Sequence, residues 1–307
     1  MKACIDIGGT KVAVSLNRGD GLDLLARRSE PTAKTGTNDA LARQVIRMVD
    51  EACGELGVAP SSVRAAGVSS AGPFVMVDGR VELASPNICG GIAGPDRGLP
   101  NDWRTALLEA PLAQRFAQVR VENDCVAALE AERRWGALQG IDHCAYVTWS
   151  TGVGTGLCVD GRILRGKNGN AGHAGHMFVS DNDDALCGCG NIGDLEAIVA
   201  GNAVERRFGA DAATLMQRAQ AGDAKAAGIV DELCRVMGRG LYNLVVALDV
   251  QRISLGGSVF THNRDYLLPR LQAQLRGRMA ALTDGCELVP AGLGGKVGDY
   301  AALALVA

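Results

Sequence analysis

No apolar run in this sequence reaches the roughly 18 residues that a membrane-spanning helix needs, so helical membrane proteins are excluded first. Charge of one sign is missing too. The 31 Lys and Arg against 34 Asp and Glu leave a net charge of −3, which gives no electrostatic footprint for nucleic acid or an anionic membrane surface. Low-complexity tracts and linkers are absent, so no segment reads as a disordered tail or a spacer. Aromatic residues are scarce at 4%, yet 47% hydrophobic and 21% charged residues remain ordinary for a globular chain. No secretory leader is expected, because Met1-Lys2-Ala3-Cys4-Ile5-Asp6 reads as entering a strand directly. Ten cysteines in such a chain point to reduced thiols and a cytoplasmic location. What is abundant is glycine, 41 residues, gathered in turns.

A chain of 307 residues points to two domains, since one core rarely grows past roughly 250–300 residues. Ala3 to Ile7 reads as a strand, Gly8-Gly9-Thr10 as a tight turn and Lys11 to Leu16 as a second strand. Paired glycines between apolar runs are a hairpin signal, because both can take positive φ. Asp20-Gly21 turns the chain again into a third strand, Leu22 to Ser29. Thr37 is expected to cap a helix to about Leu56, with Leu41, Val45, Val49 and Cys53 on one face and Gly57 ending it. Ala65 to Ser69 reads as a buried strand, Cys89 to Pro100 as a long loop of lid type, and Asp102 to Ala117 as a helix broken by Pro111.

The opening pattern then returns. Cys144 to Thr148, a glycine turn at Ser150–Gly154, Thr155 to Val159, Asp160-Gly161 and Arg162 to Leu164 repeat it about 140 residues later. This is a duplicated α/β unit, each half with its own phosphate-sized hairpin facing a cleft. Helices follow at 195–208, 212–221 and 224–248, then a strand from Arg252 to Leu255 that ends in Gly256-Gly257, and a C-terminal helix. The expected domains are 1–118 with 291–307, and 119–290.

Between the repeats, Val119-Arg120-Val121-Glu122 alternates as a strand does, and Cys125 to Glu130 has helical spacing. Asn123 and Asp124 therefore stand at a strand-to-helix corner. Asp124 reads either as the N-cap of the helix or as a carboxylate able to take a proton from a hydroxyl attacking phosphorus. Gly8-Gly9-Thr10-Lys11 reads either as a plain hairpin or as an anion-binding nest with a hydroxyl and a charge added. The turn at Thr151-Gly152-Val153-Gly154 is not a Walker sequence, since no Gly-Lys-Ser/Thr follows it. His143 and His262 fall at turns and read as solvated.

Taken together, Asp6-Ile7-Gly8-Gly9-Thr10-Lys11, Glu122-Asn123-Asp124, Thr151 to Gly156 and Gly169-Asn170-Ala171-Gly172-His173-Ala174-Gly175-His176 resemble the ROK family in order and spacing, over essentially the whole chain. Its members are sugar kinases and sugar-responsive repressors. The resemblance implies an α/β, actin-like ATPase fold, a duplicated ribonuclease-H-like unit with two domains around a cleft. It implies ATP as donor and Mg²⁺ near Asp6, with Gly8, Gly9, Thr10, Lys11, Thr151, Gly152 and Gly154 on the phosphates. Gly256 and Gly257 lie where the family's adenosine wall is, although an ordinary strand-to-helix turn would look the same.

By the same resemblance Asp124 is the general base, and Asn87, Asn123, His173, His176 and Glu196 hold the sugar. His176, Cys187, Cys189 and Asp194 stand where the family carries a structural zinc site, with Asp194 replacing a cysteine. The alternatives are two free thiols, and a helix-capping Asp194. His173 replaces the family's usual glutamate, and Ser69-Ser70-Ala71 replaces a segment richer in glycine and proline. The implied reaction is phosphorylation of a hexose or N-acetylhexosamine at its 6-hydroxyl by a homodimer or homotetramer. A catalytically weak sugar sensor is the alternative. The family's repressors place a DNA-binding segment before the first glycine loop, and here that loop already starts at Gly8.

Overall fold

The computed structural model describes residues 1–19, 21–92, 97–181 and 185–307. Asp20 of the expected turn and the middle of the expected lid loop, 93–96, lie outside the described residues. The chain opens with β1 (Lys2–Ile7), β2 (Lys11–Asn17) and β3 (Leu25–Pro31), followed by α1 (Ala40–Glu55) and β4 (Ala65–Ser70). A small antiparallel sheet comes next, β5 (Phe74–Val77), β6 (Arg80–Leu83) and β7 (Ala106–Leu107). Then follow α2 (Glu109–Arg115), β8 (Gln118–Asn123) and α3 (Asp124–Trp135).

The second round begins with β9 (Cys144–Trp149), β10 (Val153–Val159) and β11 (Arg162–Ile163). Helices α4 (Leu195–Val199), α5 (Gly201–Phe208), α6 (Ala212–Gln220) and α7 (Ala224–Leu248) lead to β12 (Arg252–Gly256). After α8 (Ser258–His262), α9 (Arg264–Leu275) and α10 (Ala280–Thr283), β13 (Glu287–Pro290) completes a sheet and α11 (Val297–Ala304) ends the chain.

The two large sheets have the same plan. One runs β3-β2-β1-β4-β8 and the other β11-β10-β9-β12-β13. In each, an antiparallel three-strand meander is extended by two parallel strands, and a long helix, α1 or α7, precedes the first of those. The duplication expected from the repeated turns is therefore present, strand for strand. One core gathers Ile5, Val14, Leu41, Met48 and Phe74, and the other Trp149, Leu233, Met237, Leu241 and Phe260. Among the described residues, no helix is long and apolar enough to cross a membrane.

Contacts divide the chain into Met1–Ala131 with Arg165–Ala171 and Lys296–Ala307, and Glu132–Leu164 with Gly172–Gly295. This differs from the boundaries at 118 and 291, for a hydrogen-bonding reason. β8 pairs with β4 from Ala65↔Gln118 to Ser70↔Asn123, so the corner and most of α3 belong to the first unit. Arg165–Ala171 joins that unit because Arg165 Nε donates to Glu122 (2.6 Å) and Asn170 clasps the N–H and C=O of Phe74, both at 2.8 Å. The tail crosses later than expected because Glu132, fully buried in the second unit, accepts from the N–H groups of Gly292 and Leu293 at 2.9 Å.

Local expectations differ in four places. Neither Gly8 nor Gly9 has a positive φ, so the hairpin does not need their left-handed freedom. Thr37 does not cap α1: Asp39 holds the cap position, and the Thr37 hydroxyl donates to its carboxylate at 2.6 Å. Pro111 sits in the first turn of α2 rather than breaking a longer helix, where a missing N–H costs nothing. The helix expected over 195–208 is split because Ala200 is extended, at φ −61° and ψ 150°.

Candidate active site

In the first unit, the corner is made by the end of β8 and the start of α3. Asn123 is the last strand residue and is buried, while Asp124 is the first helical residue and is exposed. The cap expected at Asp124 is therefore shared. The Cys125 N–H donates to Asn123 Oδ1 (3.0 Å) and to Asp124 Oδ1 (2.8 Å). A helix N-terminus favours the ionised carboxylate at this position. Glu122, one residue earlier, is buried and paired with Arg120 and Arg165, so it is already engaged.

The first glycine loop is held from outside. Gly8 N–H donates to Lys11 C=O (2.9 Å), Thr32 Oγ1 donates to Gly8 C=O (2.8 Å), and Thr32 N–H donates to Thr10 C=O (3.1 Å). Gly9 is required by close approach: a Cβ there would stand 2.7 Å from Cβ of Asn87. The structure thus brings Asn87 against the loop, and its Oδ1 accepts from Arg97. Asp6 lies at the foot of the loop. Burial pushes its carboxyl from 3.8 to about 6, the Asp124 charge pushes the same way, and Lys11 and Arg27 oppose both. Arg27 is itself paired with Asp299 at 2.6 Å. Arg27, Thr32, Arg97 and Asp299 carried no local signal, since each meets its partner across a long sequence gap.

In the second unit, the loop between β9 and β10 is fixed on two sides. Glu196 Oε2 accepts from Val153 N–H at 2.9 Å. The first residues of α5 donate to loop carbonyls, Gly201 to Ser150 (2.8 Å) and Asn202 to Thr151 (3.3 Å). Gly257 has φ +87°, and a Cβ there would lie 2.4 Å from the Trp149 carbonyl, so both conformation and space demand glycine. Beside this turn a cavity of about 520 Å³ is lined by Thr151, Asn202, Glu205, Gln217, His262 and Asn263, among others. His262 is exposed, as expected, at the C-terminal end of α8, where it also lines the cavity. Apart from Thr151, the site was not legible in the sequence because its lining comes from three separate helices, α5, α6 and α8, and the junction that follows α8.

His176, Cys187, Cys189 and Asp194 meet, with one donor atom from each within 4.8 Å of the others. Asp194 fills the expected capping role and also faces the other three side chains. Its Oδ1 caps α4 through Ala197 N–H (2.7 Å), while Oδ2 faces His176 Nδ1 (3.2 Å) and Cys189 Sγ (3.6 Å). Cys187 Sγ is 3.7 Å from His176 Nδ1, and burial raises its thiol pKa. The rings of His173 and His176 are stacked with centroids 6.3 Å apart. Asp6, the first loop, Asn87, Asn123 and Asp124 are thus grouped in one unit. The second loop, His173, His176, Glu196, Gly256, Gly257 and the sulfur cluster are grouped in the other.

The ROK family sequence model matches residues 2–307. A glucokinase from Aeropyrum pernix is 31% identical over 97% of this chain and 94% of its own. An N-acetylmannosamine kinase from Shigella boydii is 33% identical over 83% of this chain and 82% of its own. A crystal structure of a ROK hexokinase from Thermus thermophilus superimposes with a TM-score of 0.76 at 32% identity, covering 99% of this chain and 97% of that one. The fold is accordingly the actin-like ATPase fold.

The charge state of Asp6 gives a pH-dependent prediction. A carboxyl raised to about 6 in the fold but near 3.8 when unfolded costs stability increasingly as pH rises between those values, and by a constant amount above them. Asp6→Asn should therefore stabilise the magnesium-free protein at pH 8 by up to about 3 kcal/mol, and hardly at all at pH 4. Urea denaturation at the two pH values checks this. An equal effect at both would contradict it.

Proposed function

The chain belongs to the ROK family and is a sugar kinase, and from that premise we propose that it moves the terminal phosphoryl of ATP to the 6-hydroxyl of a hexose or N-acetylhexosamine. The observation that carries the reading is the corner in the first unit, where Asp124 stands exposed at a helix start within the electrostatic reach of Asp6. Asp124 accepts the proton of the attacking hydroxyl. Its pKa need not be high, because the transition state of phosphoryl transfer is loose and positioning dominates.

The donor phosphates are assigned to the first loop at Gly8, Gly9, Thr10 and Lys11, where the amides of Gly9 and Thr10 face them while that of Gly8 closes the hairpin on Lys11, and to Thr151, Gly152 and Gly154. The nucleoside is assigned to the cavity beside Gly256 and Gly257. Asp6 fits Mg²⁺, which takes one or two carboxylates and leaves its other positions to phosphate and water. Burial and Asp124 both oppose the ionised form of Asp6, and a cation there relieves both. Bound Mg²⁺ would neutralise charge on the transferring group.

Asn87, Asn123, His173, His176 and Glu196 are assigned to the sugar. A carboxylate presents acceptors to two neighbouring hydroxyls, whereas a neutral imidazole presents one acceptor and one donor. His173 therefore suits a sugar group that itself accepts, such as an N-acyl carbonyl. The cluster of His176, Cys187, Cys189 and Asp194 is assigned to zinc. Its closest donor pairs, 3.2, 3.6 and 3.7 Å apart, match the edges of roughly 3.3–3.8 Å expected of a tetrahedron with zinc bond lengths.

Two measurements test these assignments. Purified protein should contain about one zinc per chain, and chelation should lower its melting temperature. Metal-free protein whose melting is unmoved by added zinc would remove the zinc assignment. In a coupled assay with ATP, N-acetylhexosamines should be phosphorylated more efficiently than glucose. His173→Glu should lower KM for glucose by about tenfold, equivalent to about 1.4 kcal/mol. A wild-type enzyme equal to His173→Glu on glucose would show that His173 does not select the sugar.

A further inference from the structure

We infer that Asp299 is a positioning residue of the metal site: by holding Arg27, it keeps a guanidinium off the Asp6 carboxylate that the cation needs. This role rests on the assignment of Mg²⁺ to Asp6 made above. Asp6, Arg27 and Asp299 line one narrow crevice in the first unit, with Cys4 and Ser15 beside them. Strand geometry puts the first two there. Asp6 is the register partner of Ala13, and Cys4 of Ser15, so all four side chains share one face of the sheet. On β3, Arg28 points to the other face, where it pairs with Glu51 and Glu55 of α1. Its neighbour Arg27 therefore points to the face of Asp6. A bulge sets its place: β2 and β3 are in register at Val14↔Arg28 and again at Leu16↔Leu25, so Ala26 and Arg27 together stand opposite Ser15. Ala26 takes φ +48° to make this bend.

The acid comes from the end of the chain. α11 lies on β1 and β4 so closely that a Cβ at Gly67 would stand 2.0 Å from the Ala302 carbonyl. This packing fixes Asp299 in the first turn of the helix, where Oδ1 lies 2.6 Å from Arg27 Nη1. The Arg27 side chain is 55% exposed, so it has room to swing once its partner is neutral. Burial, Asp124 and Asp299 all disfavour charge on Asp6, whereas Lys11 and Arg27 favour it. Asp6 is thus the acceptor that a released Arg27 would meet. A guanidinium paired there would occupy the carboxylate, and its charge would repel a divalent cation.

The test follows Mn²⁺, a stand-in for Mg²⁺ with the same preference for oxygen ligands, by electron paramagnetic resonance of the free ion. Protein is kept in excess over ADP, so that free ADP does not compete for the metal. Asp299→Asn should weaken Mn²⁺ binding by about tenfold. Arg27→Met, which leaves Asp6 without a competitor, should tighten it by no more than about threefold. The double variant should return close to the wild type. Removing both partners of a merely structural ion pair would leave α11 as loose as removing one, so that rescue separates the two roles. Asp299→Glu keeps the charge and should keep the affinity. Asp299→Ser repeats the neutral variant should Asp299→Asn fold poorly.

Unchanged Mn²⁺ affinity in the neutral variants would overturn the inference. So would a double variant as weak as Asp299→Asn. Equal and opposite changes in Asp299→Asn and Arg27→Met would overturn it too, since both charges would then act through space with no guanidinium released. Should the wild type phosphorylate no sugar, the kinase reading falls, and the Mn²⁺ affinities still decide here. A wild type that takes up no Mn²⁺ in the presence of ADP would remove the metal from Asp6 and the inference with it.

Discussion

A backbone loop can grip a phosphate only if its amides are held in direction while its carbonyls are satisfied elsewhere, and both glycine loops of this chain meet that constraint through residues far away in sequence. In the first unit Thr32 occupies the carbonyls of Gly8 and Thr10. In the second the start of α5 occupies those of Ser150 and Thr151, and Glu196 fixes the Val153 amide. Carbonyls bound in this way do not turn their negative ends toward an anion. The two halves of the duplication reach the same condition by different means, a threonine in one and a helix start with a carboxylate in the other.

Charge imposes the second constraint. Asp6 and Asp124 sit in one unit near enough for the Asp124 charge to oppose the ionisation of Asp6, and Asp6 is buried as well. Lys11 and Arg27 offset part of this, and Asp299 in turn draws on Arg27. Under the proposed function a cation held at Asp6 would relieve both effects, and Asp124 would be left for the proton.

Much of this was legible in the sequence wherever the signal was local. The repeated strand, turn, strand pattern revealed the duplication, and the apolar spacing of Leu41, Val45, Val49 and Cys53 placed α1. His176, Cys187, Cys189 and Asp194 lie within 19 positions of one another, close enough along the chain for the family resemblance to group them, and they meet in the structure. Long-range pairing was not legible. Gly9 is glycine because of Asn87, 78 positions away (87 − 9), not because of its φ. The corner belongs to the first unit because β8 hydrogen-bonds to β4, a pairing that no periodicity reveals. The cavity beside Gly257 is lined by residues of three helices, α5, α6 and α8, and Glu132 joins residues 160 apart. Polar partners of this kind are chosen by the fold, and composition or spacing along the chain carries no trace of them.

The claim on which everything else depends is that Asp124 takes the proton from a sugar hydroxyl as it attacks ATP. Turnover of Asp124→Asn on the sugar that the wild type uses best tests it most directly. The amide keeps the size of the side chain and its Oδ1 acceptor for Cys125, but it cannot serve as a base. The account predicts a kcat about 10²- to 10⁴-fold lower, with sugar binding retained. Turnover close to that of the wild type would remove Asp124 from the mechanism, and with it the role given to the corner between β8 and α3.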